Sequence, residues 1–202
     1  SWVWRTAPAC SRQAKEARRV CTAMKLIILD RDGVINQDSD AYIKSEEEWI
    51  PIPGSLDAMA RLYHGGFRLA IASNQSGLGR GLFTIDDLNA MHRKMTRELS
   101  VQGAQVEGIF FCPHAPEVGC SCRKPLPGLL LEVASRLQVD LNGVPCVGDS
   151  WRDIEAAQAV GGMPILVRTG KGDLALSSHA EALARIACFA DLAAAADFLL
   201  AP

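Results

Sequence analysis

Two aspartates, Asp30 and Asp32, follow an apolar run and are separated by one residue, Arg31. Two like charges this close are unfavourable unless a cation or a shared proton relieves them. A carboxylate can attack a phosphorus centre as a nucleophile, and a second carboxylate can protonate the leaving oxygen and then activate water. We therefore predict that Asp30 is a nucleophile and that Asp32 is a general acid and base.

Further polar residues complete the set that phosphoryl transfer requires. Asp149 and Asp153 add carboxylates, Ser73 offers a hydroxyl group, and Arg123 and Lys124 offer positive charge. Mg²⁺ prefers hard oxygen ligands, and two or three carboxylates with a substrate phosphate would suffice to hold it. Cationic donors would stabilise the charge on the transferred phosphoryl group. The composition of this set predicts a magnesium-dependent phosphoryl-transfer site.

Short β-rich runs alternate with helical stretches from Lys25 onward, a pattern typical of a parallel sheet covered by helices. We predict a three-layer, Rossmann-like α/β fold with helices on both faces and no separate cap domain. Ser55 and Thr84 are the predicted N-caps of two helices, and Asp87 is a capping partner for Thr84. The predicted strands are 26–29, 68–72, 108–111, 144–147 and 164–167, and the predicted helices are 55–64, 84–101, 128–138, 154–160 and 192–200.

The candidate residues follow the predicted strands, which suggests where they meet. Open α/β sheets bind ligands at the carboxyl ends of their strands. Polar clusters follow four of the five predicted strands, at Asp30, Ser73, Cys112 and Gly148. We therefore expect residues 30, 32, 73, 124 and 149 to converge at one edge of the sheet.

A loop rich in cysteine leads directly into Arg123 and Lys124. It has the pattern Cys112-x-His114-x5-Cys120-x-Cys122. Three thiols and one imidazole are a tetrahedral zinc set in ligand type, although these spacings are tighter than the common ones. Because the protein would fill all four positions, we predict a structural Zn²⁺ that fixes the two basic side chains.

Bulk composition limits the classes of function. The chain has 202 residues, 49% of them hydrophobic, and a net charge of −2. This balance disfavours nucleic-acid and membrane partners. We expect residues 1–23 to form an N-terminal extension, disordered or of artificial origin, and residues 24–202 to form one domain. The extension has no apolar signal core, so we expect a cytoplasmic protein, and we expect it to be a monomer.

The motifs together resemble those of the haloacid dehalogenase-like phosphohydrolases. The matching residues are Asp30-x-Asp32-Gly33-Val34, Ser73-Asn74, Lys124-Pro125 and Gly148-Asp149-x-x-x-Asp153. The resemblance implies Mg²⁺ held by Asp30, by the backbone carbonyl of Asp32 and by Asp149. It also implies that Ser73 and Lys124 contact the phosphoryl group, and that Asp153 supports the metal indirectly.

Within that superfamily, a body without a cap and with a Cys/His loop before Arg-Lys-Pro is similar to the heptose bisphosphate and histidinol-phosphate phosphatases. The resemblance implies removal of the 7-phosphate of a heptose bisphosphate during synthesis of lipopolysaccharide precursors, with histidinol phosphate as the alternative substrate. Ser150 stands where a Lys is common, so the phosphate contact at that position is left open. The implied substrate contacts are Arg31, Asp38, Ser39, Asp40, Ala41, Tyr42, Asn74, Gln75, Ser76 and Ser150.

Two alternatives of other classes remain. A phospho-accepting receiver module also uses an acidic pocket with a hydroxyl residue and a Lys, but its acceptor follows the third strand, whereas Asp30 follows the first. A catalytically inactive zinc-binding interaction module would carry damage in the acidic cluster. Asp30, Asp32, Asp149 and Asp153 are all present.

Overall fold

The fold is built on a six-stranded parallel sheet. The computed structural model describes residues 25–201, so the predicted extension of residues 1–23 lies outside the described residues. The strands are β1 (Lys25–Leu29), β2 (Phe67–Asn74), β3 (Gly108–Cys112), β4 (Pro145–Gly148), β5 (Met163–Val167) and β6 (Ala187–Phe189), and their order is β3-β2-β1-β4-β5-β6. The order reverses direction at β1, so the carboxyl ends of β1 and β4 flank the switch point at which such sheets bind ligands.

Helices connect the strands. They are α1 (Ser55–His64), α2 (Ser76–Gly79), α3 (Ile85–Val101), α4 (Gly128–Leu137), α5 (Trp151–Ala159), α6 (Gly172–Ser178), α7 (Ala180–Leu183) and α8 (Leu192–Leu200). A short 3-10 helix, Pro116–Val118, lies in the cysteine loop. None of the helices described between residues 25 and 201 combines the length and the apolar character needed to cross a bilayer.

The side chains of β1 alternate between the two cores of a three-layer structure. Ile27 and Leu29 face one core with residues of α1, α3 and α8, whereas Leu26 and Ile28 face the other with residues of α4 and α5. Successive strand side chains point to opposite faces, so a central strand covered on both sides is apolar throughout. Each fully buried side chain of this size stabilises the fold by about 1.5–3 kcal/mol. This packing holds the end of β1, and therefore Asp30, in a fixed position.

The structure confirms the predicted α/β class and all five predicted strands, and it adds β6, α2, α6 and α7. The predicted capping box of Thr84 and Asp87 is present at the start of α3. The prediction for Ser55 is wrong, because Gly54, in the left-handed region at φ 82°, is the N-cap of α1. The Ser55 hydroxyl instead donates a hydrogen bond of 2.6 Å to the carbonyl oxygen of Ile35. Ser55 thereby ties α1 to the loop that follows β1.

Candidate active site

Residues from five separate segments line one cavity at the carboxyl ends of the strands. Its volume is about 210 Å³. Residues 30, 32, 73, 124 and 149 all line it, as the sequence predicts. The complete lining is Asp30, Asp32, Asp38, Ser39, Asp40, Tyr42, Ser73, Asn74, Gln75, Ser76, Arg123, Lys124, Asp149, Ser150, Arg152, Asp153 and Lys171.

Lys124 lies at the centre of the charged cluster. Its Nζ lies 3.2 Å from Asp30 Oδ1 and 2.5 Å from Asp153 Oδ1, and it donates a 2.8 Å hydrogen bond to the carbonyl oxygen of Ala72. The side chain of Asn74 holds this segment, accepting from the Lys124 amide and donating to the Lys124 carbonyl oxygen. Burial opposes the charge of Lys124, but the two carboxylates outweigh burial and raise its pKa. Lys124 is therefore a fixed cation beside the predicted nucleophile.

Three carboxylates, those of Asp30, Asp149 and Asp153, lie close enough to share a metal ion. One oxygen from each falls within 4.8 Å of the others. Burial, with repulsion from neighbouring carboxylates, raises the pKa of Asp30 to about 7 and that of Asp149 to about 8. A divalent cation would relieve this repulsion, so the donor set fits Mg²⁺.

The backbone around Asp149 leaves room for its carboxylate. Gly33 and Gly170 both have positive φ, and a Cβ at either position would collide with Asp149. Glycine is therefore required on both sides of this side chain. The amide of Lys171 donates a 2.8 Å hydrogen bond to Asp149 Oδ2. These contacts fix one predicted metal ligand and leave its other oxygen for a cation.

The carboxylate of Asp32 is held by several hydrogen-bond donors. Arg31 donates to both of its oxygens at 2.9–3.0 Å, while Asn36 and Gln75 each donate one bond of 2.8 Å. Burial alone would raise the pKa of Asp32, but Arg31 and the amide donors outweigh burial and lower it. Gln75 also donates to Ser73 Oγ, which links the two predicted catalytic groups.

The structure places the side chain of Arg31 away from the cavity, and the expected contact of this residue with substrate stays a prediction. Its side chain is only 1% exposed and lies outside the cavity lining, because its guanidinium group is occupied by Asp32 and Gln75. Ala41 also lies outside the lining, although Asp38, Ser39, Asp40 and Tyr42 belong to it. Arg31 is thus placed to position Asp32.

His92 on α3 is buried near Arg31 and Asp32. Its titration predicts that the stability of the fold is sensitive to acid. Burial, aided by Arg31, lowers the pKa of His92 to about 4. Because the unfolded chain takes up this proton near pH 6.5, stability is fully present above that pH and falls toward pH 4. Between pH 7 and pH 4.5 the contribution is about 2.5 kcal/mol. Urea unfolding measures the fall in the free energy of unfolding between these two pH values. This fall should be smaller in His92→Phe than in the wild type by about this amount, and His64→Gln is the exposed control. An equal loss in His92→Phe would contradict this assignment.

The cysteine loop brings its four predicted ligands together. Cys122 Sγ lies 3.3 Å from Cys112 Sγ, 3.5 Å from Cys120 Sγ and 3.3 Å from His114 Nδ1. A tetrahedral zinc with bonds of about 2.3 Å to sulfur separates its ligands by about 3.8 Å. The cluster is close to that geometry, so these residues fit Zn²⁺. The carbonyl oxygen of His114 accepts a hydrogen bond of 3.4 Å from Arg123 Nη1, which ties the loop to the cavity.

Two cavity residues, Arg152 and Lys171, are absent from the sequence-based predictions. Lys171 Nζ reaches across the cavity to Asp38 Oδ2 at 3.2 Å and to Asp40 Oδ1 at 3.4 Å. Arg152 lies in the first turn of α5. The motif around Asp149 ends at Asp153 and brackets Arg152, which is the sequence signal that could have identified it. No comparable signal marks Lys171.

Ser150 lines the cavity, but its hydroxyl group already has a partner. Ser150 Oγ donates a 2.5 Å hydrogen bond to Asp153 Oδ2, and the Ser150 amide donates to the same oxygen at 3.0 Å. The bond from the amide is part of the capping box of α5. Both bonds fix Asp153 against Lys124. Asp153 is therefore engaged by both Ser150 and Lys124, and its indirect support of the metal site stays a prediction.

Comparison with known proteins identifies the family. A family model described as HAD-hydrolase-like matches residues 121–195. The chain is 55% identical over 177 residues to D-glycero-beta-D-manno-heptose-1,7-bisphosphate 7-phosphatase of Bordetella bronchiseptica, covering 88% of this chain and 98% of the relative. The enzyme of the same name from Pseudomonas putida is 52% identical and is covered completely. The chain belongs to the HAD-like hydrolase family.

Solved structures agree with this membership. The heptose bisphosphate phosphatase of B. bronchiseptica, complexed with magnesium and phosphate, superimposes with a TM-score of 0.84 at 54% identity, covering 88% of this chain and 98% of that one. The corresponding enzyme of Burkholderia thailandensis has a TM-score of 0.68 at 39% identity, covering 88% and 99%. This HAD-like hydrolase is therefore a phosphatase, which excludes the receiver module and the inactive module.

Proposed function

We propose that this phosphatase removes the 7-phosphate of D-glycero-beta-D-manno-heptose 1,7-bisphosphate. The observation that carries the proposal is identity above 50%, over nearly the whole relative, to enzymes of that name. The cavity supports it with a half-buried Asp30, the cation of Lys124 beside it and a carboxylate set that suits Mg²⁺. Its acidic loop at Asp38 and Asp40 offers acceptors for sugar hydroxyl groups.

In the first half-reaction, Asp30 attacks the phosphorus atom while the P–O bond to the sugar breaks. Lys124 and Ser73 bind the phosphoryl oxygens, and bound Mg²⁺ would neutralise part of their charge. Asp32 protonates the departing alkoxide. Arg31 and the amides lower the pKa of Asp32 in the free protein. The negative charge of a bound phosphate raises the pKa of a nearby carboxyl group, which favours the protonated Asp32 that this step requires. The product is an aspartyl-phosphate on Asp30.

In the second half-reaction, water attacks the phosphorus atom of that aspartyl-phosphate. Asp32 is now anionic and takes a proton from this water. Gln75 and Asn36 donate hydrogen bonds that hold Asp32 in position. The bond from phosphorus to the Asp30 oxygen breaks, which releases phosphate and restores the carboxylate. The same residue thus serves as acid and then as base.

The cysteine loop has a structural role in this proposal. Zn²⁺ held by Cys112, His114, Cys120 and Cys122 would fix the segment that delivers Arg123 and Lys124. We also place the phosphatase domain at residues 24–202, and we propose a monomer that acts on its phosphorylated sugar in the cytoplasm.

A panel of substrates tests the proposal. We expect kcat/KM for the β-anomer of heptose 1,7-bisphosphate to exceed that for histidinol phosphate by at least about 100-fold, the size of one or two lost specific contacts. Phosphate release should require added Mg²⁺ and should cease with EDTA. The α-anomer and a simple aryl phosphate serve as controls. Preference for histidinol phosphate would replace the proposed substrate with the alternative one.

A further inference from the structure

A sugar bisphosphate carries a second phosphate that the catalytic groups do not bind. This second group has a charge near −2, and burying it against carboxylates without a cation would be unfavourable. Four residues of the cavity lining carry positive charge: Arg123, Lys124, Arg152 and Lys171. At least one of them must be available for the second phosphate.

Ion pairs within the cavity already engage two of these four cations. Lys124 is paired with Asp30 and Asp153, and Lys171 is paired with Asp38 and Asp40. Within residues 25–201, neither Arg123 nor Arg152 has a carboxylate within 4.0 Å. These two arginines therefore provide the uncompensated positive charge of the cavity.

Of the two, Arg123 is fixed from the zinc-loop side and Arg152 is not. Arg123 Nη1 donates to the carbonyl oxygen of His114. Arg152 is exposed and lies where the catalytic cavity meets two others, one of about 330 Å³ shared with Arg123 and one of about 260 Å³ shared with Trp151 and Lys171. A planar guanidinium group here can approach a phosphate outside the reaction centre with two parallel hydrogen bonds.

The side chain at position 150 also favours Arg152 as the binding residue. Ser150 has no charge, and its hydroxyl group is occupied by Asp153. Ser150 therefore cannot supply a cation to a phosphate at this rim. Arg152, two residues further along the first turn of α5, is the nearest cation in the sequence that is free to do so.

We propose that Arg152 binds the phosphate that is not hydrolysed and thereby makes the enzyme select bisphosphorylated sugars over monophosphorylated ones. This assignment rests on the proposed function, since it requires a substrate with two phosphates. Arg152 acts here as a specificity-determining residue, and the reaction at Asp30 does not require it.

The test compares two substrates that differ only in the second phosphate, D-glycero-D-manno-heptose 1,7-bisphosphate and D-glycero-D-manno-heptose 7-phosphate. The full chain is assayed with Mg²⁺. We expect Arg152→Gln to lower the ratio of the two kcat/KM values by at least about tenfold, mainly through KM for the bisphosphate, and Arg152→Lys to recover part of the ratio. Arg168→Gln is the matched control, because Arg168 is exposed, pairs with Asp173 and lies outside the cavity. It should retain the wild-type ratio.

An unchanged ratio in Arg152→Gln overturns the proposal, whether both rates fall together or neither falls. A wild-type enzyme that hydrolyses both esters equally well also overturns it. Failure of the proposed function has a different signature, because the wild type would then hydrolyse neither heptose ester efficiently. In that case the pair fructose 1,6-bisphosphate and fructose 6-phosphate measures the same ratio, and a ratio that does not depend on Arg152 again overturns the assignment.

Discussion

Asp30→Asn should lower kcat for phosphate release by at least about 10⁴-fold, since loss of a nucleophile removes the covalent route entirely. The amide preserves the size of the side chain and removes its nucleophilic oxygen. It also relieves the repulsion among the carboxylates of Asp30, Asp149 and Asp153, so the variant should fold at least as stably as wild type. Steady-state kinetics with heptose bisphosphate, together with thermal unfolding, separates these two effects.

The matched control is Asp57→Asn. Asp57 is an exposed carboxylate on α1 that pairs with Arg61 at 3.0 Å. Exposed pairs contribute roughly 0–1 kcal/mol, so this variant should keep its activity. Residual activity of Asp30→Asn above about one per cent of wild type would remove Asp30 from the nucleophile role.

Loss of zinc from the cysteine loop should produce the largest change in the stability of the fold. In Cys122→Ser we expect zinc content to fall from about one ion per chain toward zero. The free energy of unfolding should fall by at least about 3 kcal/mol, less than the ~10–16 kcal/mol of zinc-finger peptides, because the sheet supplies its own core. Activity should fall as well, since the loop leads directly into Arg123 and Lys124. Metal analysis by mass spectrometry and urea unfolding measure both effects.

Cys188→Ser is the control for this experiment, because Cys188 is exposed and outside the cluster. It should keep wild-type zinc content and stability. Wild-type protein prepared without chelator that contains no zinc would contradict the assignment of the loop. A Cys122→Ser variant as stable as wild type would contradict its structural role.

The sequence was sufficient for features determined locally or by parallel topology. Apolar runs located the first five strands, and the rule for strand ends brought Asp30, Ser73, Lys124 and Asp149 to one edge. The capping box at Thr84 is local and was predictable. By contrast, β6 has only three residues, half-buried or exposed, so it lacks the apolar signal of the buried strands.

Side-chain direction was not predictable from sequence. Arg31 stands between Asp30 and Asp32 and could have faced substrate, but its guanidinium group is bound by Asp32 and by Gln75, 44 positions away. Lys171 reaches the cavity through tertiary packing alone, whereas Arg152 lies within the motif that runs from Asp149 to Asp153. Such contacts depend on which elements meet at the rim, and no periodicity within one segment encodes that.

The most direct test of the account is to trap the phosphoryl group on the enzyme. Wild-type protein mixed with substrate labelled at the 7-phosphate, quenched rapidly in acid and digested, should yield one labelled peptide containing Asp30, heavier by the mass of one phosphoryl group. The Asp30→Asn variant should yield no labelled peptide. Rapid phosphate release without label on Asp30, or label on another side chain, would contradict the mechanism.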